Sequence, residues 1–498
     1  MTKNNNEGAP RIIRRVSMLS GVAAGALLLG ACASFSPDGG LSVAQTVAYS
    51  ELNKDVVKVT SEAEAASVQA RAEEILRRPL TPDGAVQVAL LKNRGLQAAF
   101  NELGVAEAVY VQATLPPAPR ISLARLTATM EFEIERQILI GLFELVTLPQ
   151  RAAIAERRFR SAQFRTAEAV LRLAAETRRQ YYRTIAVNQQ VNFLQQVLAA
   201  AESASELAKR LGETGALNKL QQAREHAFYV ELGAQLARAR IQQKVERERL
   251  TRQLGVWGRD IAFRLPGTLP SLPGRLASAN DIERRALERR VDLQVIRFDL
   301  ETQARQYGLN QVSRLVSDFE LAGINNLEKS KSVTTDEEGH TEVEVEKVKR
   351  RGFEVDFQIP IYDFGATAVR NAQEAYMAAA NRLAERAVNA RSEVREAYFR
   401  YRGNYDLARY YQGRVLPLRQ TIQDEALLQY SGMLIDVTTL IIDARARILS
   451  NIDAINARRD FWIAATDLQA AMIGGGAGGG EGGGTAVAAA GGDAGGGH

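Results

Sequence analysis

Two periodicities divide this chain. From Val170 the apolar or small positions fall at Ala174, Thr177, Tyr181 and Ile185, then at Val191, Leu194 and Leu198. A second run gives Leu383, Ala387, Ala390, Val394, Tyr398, Tyr401, Tyr405 and Ala408. Steps of three and four place such residues on one stripe of an amphipathic helix. Each run predicts a helix of about 60 residues, on the order of 90 Å long at 1.5 Å per residue. Helices of that length belong to coiled coils and tubes. The many alanines on the stripe let neighbouring backbones approach closely. The other period is two. Phe132 and Ile134 alternate with Glu131, Glu133 and Glu135, and Phe353, Val355, Phe357 and Ile359 alternate with Glu354, Asp356 and Gln358. This predicts strands that are apolar on one face and acidic on the other. Alone, the pattern fits a lipid-facing strand or a half-buried soluble sheet equally well.

The elements recur in order. Ala89-Leu90 and Leu96-Gln97 return as Ala286-Leu287 and Leu293-Gln294, a shift of 197 residues. After each anchor come an Ala-rich helical stretch, a hairpin closing at Leu148-Pro149 or Ile359-Pro360, and a long helix. A Gly-containing turn (Gly212 to Gly215, or Gly432) then leads into another helix at Ala223-Arg224 or Ala444-Arg445. Self-similarity of this kind predicts one architecture used twice. Residues 81–254 form the first copy, with its hairpin at about 115–149 and long helices at about 150–254. Residues 281–473 form the second, with its hairpin at about 309–360 and long helices at about 364–473. Pro266, Pro270 and Pro273 break any helix in the 255–280 linker. The Gly/Ala tail, 474–498, is too poor in apolar bulk to build a core.

The N-terminus changes where this architecture is expected to sit. Lys3, Arg11, Arg14 and Arg15 precede an apolar stretch from Val16 to Leu29, shorter than the roughly 20 residues a spanning helix needs. Residues 1–31 therefore read as a signal peptide. Leu29-Gly30-Ala31-Cys32 resembles a bacterial lipobox, in which the thiol is lipidated and the chain is cut before it, leaving 32–80 as an N-terminal lipidated segment that wraps the body. Cys32 is the only cysteine, so no internal disulfide forms. The formal charge of +5 falls to about +2 once Lys3, Arg11, Arg14, Arg15 and Glu7 are set aside. With acids and bases interspersed, no basic footprint for nucleic acid remains. Four strands are too few to close a barrel, and an open edge in lipid leaves backbone donors unpaired. An oligomer is implied, and three chains would supply twelve strands.

Two further stretches resemble a known family. Val415-Leu416-Pro417 through Tyr430-Ser431-Gly432 to Asp436-Val437 and Asp443-Ala444 is similar to the turn between the long helices of TolC-like outer-membrane efflux channels. Val105 to Ala108, leading to Leu115-Pro116, resembles their first helix and strand. The resemblance covers roughly residues 80 to 473. It implies a mainly α fold with a membrane β part: a homotrimeric α-helical barrel continued into a twelve-stranded β-barrel, four strands per chain. It also implies a lipid-anchored outer-membrane protein reaching into the periplasm. Such a protein is a passive exit duct for drugs, toxic small molecules, metal ions or polypeptides in tripartite efflux or type I secretion. Its partners are outer-membrane lipid, a periplasmic adaptor and an inner-membrane pump of the RND or ABC type. The rival expectation is a periplasmic coiled-coil lipoprotein that acts as scaffold or adaptor and forms no pore.

No catalytic constellation, cofactor motif or metal cluster is expected, since His226, His340 and His498 are scattered. The resemblance puts the candidate functional residues at the helix turns. Tyr430, Asp436 and Asp443, with Glu213 and Arg224 opposite, are candidates for a periplasmic gate. Gly212, Gly215, Ser431 and Gly432 are candidates for adaptor docking. The plainer roles are packing for Tyr430 and helix capping for the aspartates. The charged stretch from Glu328 to Arg351 is expected as a loop or a strand extension, and the first hairpin, with Arg125 in its first strand, looks short for a membrane.

Overall fold

A computed structural model describes residues 34–129, 131–276, 281–335, 341–432 and 434–476. Cys32, His340 and His498 lie outside them. The helices are α1 (Ser42–Val47), α2 (Glu62–Leu76), α3 (Pro82–Lys92), α4 (Arg94–Thr114), α5 (Leu142–Glu213), α6 (Lys219–Leu254), α7 (Ile282–Arg289), α8 (Val291–Val312), α9 (Ala366–Tyr410), α10 (Leu416–Ser431) and α11 (Val437–Ile473). Strands β1 (Arg120–Thr127) and β2 (Glu131–Gly141) follow α4, and β3 (Asp318–Thr335) and β4 (Thr341–Gln358) follow α8. The chain divides into two compact units, one drawn from Met1–Val68, Asn93–Val170 and Val291–Asn389, the other from Gln69–Lys92, Leu171–Arg290 and Ala390–His498.

The first unit holds the sheet, an antiparallel meander in the order β1-β2-β3-β4. Within the stretch expected as a loop or strand extension, residues 328–335 and 341–351 are strand: β3 and β4 pair without a bulge from Asp318↔Gln358 to Thr335↔Thr341. The first hairpin is shorter than its sequence suggests. β2 ends at Gly141, and the chain turns helical at Leu142, so Pro149 lies inside α5 instead of closing a strand. A proline removes one helical hydrogen bond, here to the carbonyl of Leu145. Leu145 and Val146 are exposed, so water can satisfy that group. The segment before α2 lies along α4: the Gln97 amide donates to Val57 O and accepts from Val59 N, and Glu107 accepts from Ser36 N at 2.7 Å.

Three apolar clusters hold the second unit together. One packs Tyr181, Tyr182 and Ile185 of α5 against Leu250 and Leu254 of α6 and Val88 and Ala89 of α3. Another packs Phe461 and Leu468 of α11 against Tyr401 and Tyr405 of α9 and Ile282 and Ala286 of α7. The third joins Phe228, Leu232 and Leu236 of α6 to Val437, Ile441 and Ile448 of α11. The proline-rich linker is tied down as well. Pro270 O accepts from Trp462 Nε1 at 3.1 Å, and Pro273 O accepts from Tyr405 Oη at 3.0 Å. A π-turn, Tyr411–Val415, joins α9 to α10 just before Pro417. Widening the turn there relieves the clash between a proline ring and the carbonyl four residues back.

Candidate functional site

Two surfaces carry the candidate chemistry, one in each unit. In the sheet, strand register sorts side chains onto two faces. One face presents Ile121 and Leu123 of β1, Ile138 and Ile140 of β2, Leu321 of β3 and Phe353, Val355 and Phe357 of β4, all exposed. Phe319 and Phe357 stack across this face at 4.7 Å. The other face carries Glu131, Glu133 and Glu135 of β2, Glu320 and Glu328 of β3, and Glu354 and Asp356 of β4. Its described basic side chains, Arg120 and Arg350, are paired with Glu320 at 3.4 Å and Glu328 at 2.9 Å. An exposed apolar face backed by a hydrated acidic one suits a wall between lipid and water. Among the described residues no further strand lies beside β1 or β4, so the sheet has two unpaired edges.

In the second unit the two helix turns lie side by side, where α6 meets the start of α11. At the first turn Gly215 adopts φ +78 and donates to Gly212 O, and Ala216 N donates to Leu211 O. Asn218 then caps α6 by accepting from Gln221 N at 2.8 Å. A side chain at Gly212 would place its Cβ 2.8 Å from Gln222 Oε1, so glycine permits the close approach. At the second turn Ser431 Oγ donates to Leu428 O, and Gly432 N donates to the same carbonyl.

The gate candidates fall into different settings. Asp436 is the N-cap of α11 and accepts from Thr439 N at 2.9 Å and Thr439 Oγ1 at 2.7 Å. These bonds, with a smaller contribution from the Arg224 charge, hold its carboxyl below the usual range. Arg224 reaches across from α6 to donate to Thr438 Oγ1, so the structure brings Arg224 and Asp436 together. Tyr430 is half-buried against the Phe228 cluster. Glu213 is exposed at the end of α5, and Asp443 is half-buried two turns into α11. Neither meets a hydrogen-bonding or ionic partner among the described residues.

Sequence reasoning missed Glu225. It lines a cavity of about 300 Å³ with Phe193, Val197, Phe228, Leu440 and Ile441, and burial raises its carboxyl pKa. The signal was present: Glu225 shares a helical stripe with Phe228 and Leu232, at steps of three and four. Among the described residues there is no cluster that could hold a metal and no helix long and apolar enough to cross a membrane.

No protein-family model and no curated protein matches the chain. Solved structures do. A membrane protein from Pseudomonas aeruginosa is 18% identical over 80% of this chain and 93% of its own, with a TM-score of 0.65. The Campylobacter jejuni CmeC outer membrane channel is 14% identical, covering 84% of this chain and 89% of its own, with a TM-score of 0.65. The open-state Neisseria gonorrhoeae MtrE outer membrane channel is 15% identical, covering 78% of this chain and 88% of its own, with a TM-score of 0.61. At such identities the likeness is one of fold, and the chain has the TolC-like channel fold, with long helices and a four-stranded antiparallel sheet.

Proposed function

We propose that this chain is the subunit of an outer-membrane efflux channel, a passive duct that closes as a trimer. The observation that carries the reading is the two-faced sheet with both edges open. Three copies would join β1 to β4 around a twelve-stranded barrel, turning the apolar face to lipid and the acidic face to the bore. A scaffold without a pore would leave the exposed apolar face without a purpose. Energy and substrate choice would belong to an inner-membrane pump, reached through a periplasmic adaptor that docks around Gly212, Gly215, Ser431 and Gly432. Cys32 would carry the lipid anchor.

The duct reading is tested by planar-bilayer recording on the purified full chain. Discrete conductance steps from trimers that survive detergent electrophoresis support it, and a non-conducting monomer sinks it. Palmitate labelling of the wild type that disappears in Cys32→Ser supports the anchor. Within this reading Asp436 and Arg224 hold the two turns together, so Asp436→Ala should raise leakage of large antibiotics. Unchanged permeability would leave Asp436 as a helix cap alone.

A further inference from the structure

The register extends across the apolar face a band of positive charge that β4 alone begins with Lys347, Lys349 and Arg351. Beyond the Ile121, Ile138 and Phe353 row, the next row on that face carries Arg136 and Arg351. The row after it carries Arg125 and Lys349, and the following one Lys329 and Lys347, with Lys331 beyond. Among the described residues this face has no carboxylate, and none of these cations has an ion-pair partner. On the opposite face at the same level stand Glu131, Glu133, Glu135 and Glu328. The carboxylates of this level thus lie on one face, where Arg350 is neutralised by Glu328, and the cations without a carboxylate beside them lie on the other.

A ribbon that merely projected into water would gain from opposite charges placed directly across from one another. Here Lys329 is directly opposite Lys347, a destabilising arrangement unless an anion sits between them. The Lys329 ammonium and the Arg125 guanidinium both lie over the Phe132 ring, at 5.9 and 4.9 Å, which holds the cations on the apolar side. A lipid-facing cation is costly at mid-membrane and nearly free at the interface. The Arg136–Arg351 row therefore marks the edge of the hydrocarbon. From Arg351 to Lys347 the band runs about 13 Å along the strand at roughly 3.3 Å per residue, the depth of a headgroup layer. It lies at the hairpin-turn ends of the strands, away from their junctions with α4, α5, α8 and α9.

We infer that this belt binds the phosphates of anionic lipid headgroups in the leaflet facing the hairpin turns, locking the barrel at a fixed height. The inference rests on the duct reading, which turns this face to lipid. Arginine offers bidentate donors to phosphate and lysine a point charge, so the mixture suits a headgroup carrying more than one phosphate.

The test is native mass spectrometry of the full-chain trimer in detergent, with diphosphoryl lipid A as probe and phosphatidylethanolamine as comparison. Wild type should hold lipid A at least tenfold more tightly than phosphatidylethanolamine, and binding should weaken from about 0.1 to about 1 M salt. The quadruple variant K329Q/K347Q/K349Q/R351Q should lose at least tenfold, while K329R/K347R/K349R keeps wild-type binding. Equal binding by the quadruple variant, or no salt dependence in wild type, overturns the inference. So does full displacement by inorganic phosphate at the same molar concentration, which would mean a generic anion surface. Phe353→Trp separates the two readings. If brominated acyl chains fail to quench it, the lipid-facing assignment falls and the duct reading with it; if they quench it and the quadruple variant still binds, only the belt falls.

Discussion

Replacing Arg290 with methionine should cost more stability than any exposed substitution in the helices. Arg290 lies between α7 and α8, and its side chain is 0% exposed. Its guanidinium donates from Nη1 to Ala471 O at 2.9 Å and from Nη2 to Glu393 Oε2 at 2.7 Å, beside the Phe461 cluster. Arg290→Met keeps the apolar stem but leaves a buried carbonyl and a carboxylate short of a donor. Breaking a buried ion pair from one side costs about 3–5 kcal/mol. Glu393 keeps 29% of its side chain in solvent and recovers some hydration, so the low end applies. The expected loss is about 3 kcal/mol, or roughly 150-fold in the unfolding equilibrium at 1.36 kcal/mol per decade. The assay is urea unfolding followed by circular dichroism in detergent, at fixed protein concentration because a trimer of the proposed kind would link assembly to folding. Removing both charges with Arg290→Met/Glu393→Met should restore most of the loss, since a well-packed apolar pair replaces a buried ionic one at little cost. A single variant within about 0.5 kcal/mol of wild type, the range of ordinary surface changes, would refute the reasoning. A double variant no more stable than the single would do the same.

Three other expectations follow from local geometry. Gly365, at the turn from β4 into α9, adopts φ +72, and an added Cβ would lie 2.3 Å from the Arg314 carbonyl oxygen. Gly365→Ala should therefore reduce the yield of detergent-resistant trimer severalfold, and a wild-type yield would show that the turn can shift freely. Burial pushes the Tyr182 hydroxyl up to about 12, with Arg178 opposing and Asp83 adding to the shift. The folded pKa lies above the unfolded value near 10. The stability linked to neutral Tyr182 is therefore complete below about pH 10 and is lost as pH rises toward 12. Tyrosinate absorbance that showed Tyr182 titrating near 10, by comparison with Tyr182→Phe, would contradict this. Neutralising the acidic face with Glu133→Gln, Glu135→Gln and Glu354→Gln should lower the cation-over-anion permeability ratio by roughly twofold or more, because rings of charge set pore selectivity. Reversal potentials in a salt gradient measure it, and an unchanged ratio would place those carboxylates away from the conduction path.

Much of the fold is legible in the chain because periodicity is local. Steps of three and four announced the stripe that buries Ala174, Tyr181 and Ile185. Alternation announced both faces of the strands around Phe132 and Phe353. Proline misled at one end. Pro149 reads as a boundary, yet a helix tolerates the loss of one hydrogen bond where the freed carbonyl meets solvent. At the turns, the sequence offers Tyr430 and Asp436 as candidates, with Arg224 opposite, but not their settings. Capping by Asp436 is visible in the residues after it, whereas the reach of Arg224 to Thr438 depends on helices more than 200 residues apart in sequence.

What the sequence determined by itself was the set of elements, because helix and strand periods are imposed by the backbone and can be read within a few turns or residues. It also determined that β2 and β4 each have an apolar and an acidic side, since successive side chains must alternate. Only the tertiary structure decided which rows those sides share. Placing Lys329 opposite Lys347, or Arg136 in line with Arg351, depends on the alignment of strands that are distant in sequence, and a shift of one residue would turn each cation to the acidic face. The same holds for Arg290, whose buried pairing with Glu393 arises because helix packing brings together residues more than 100 positions apart, a meeting that no local pattern encodes.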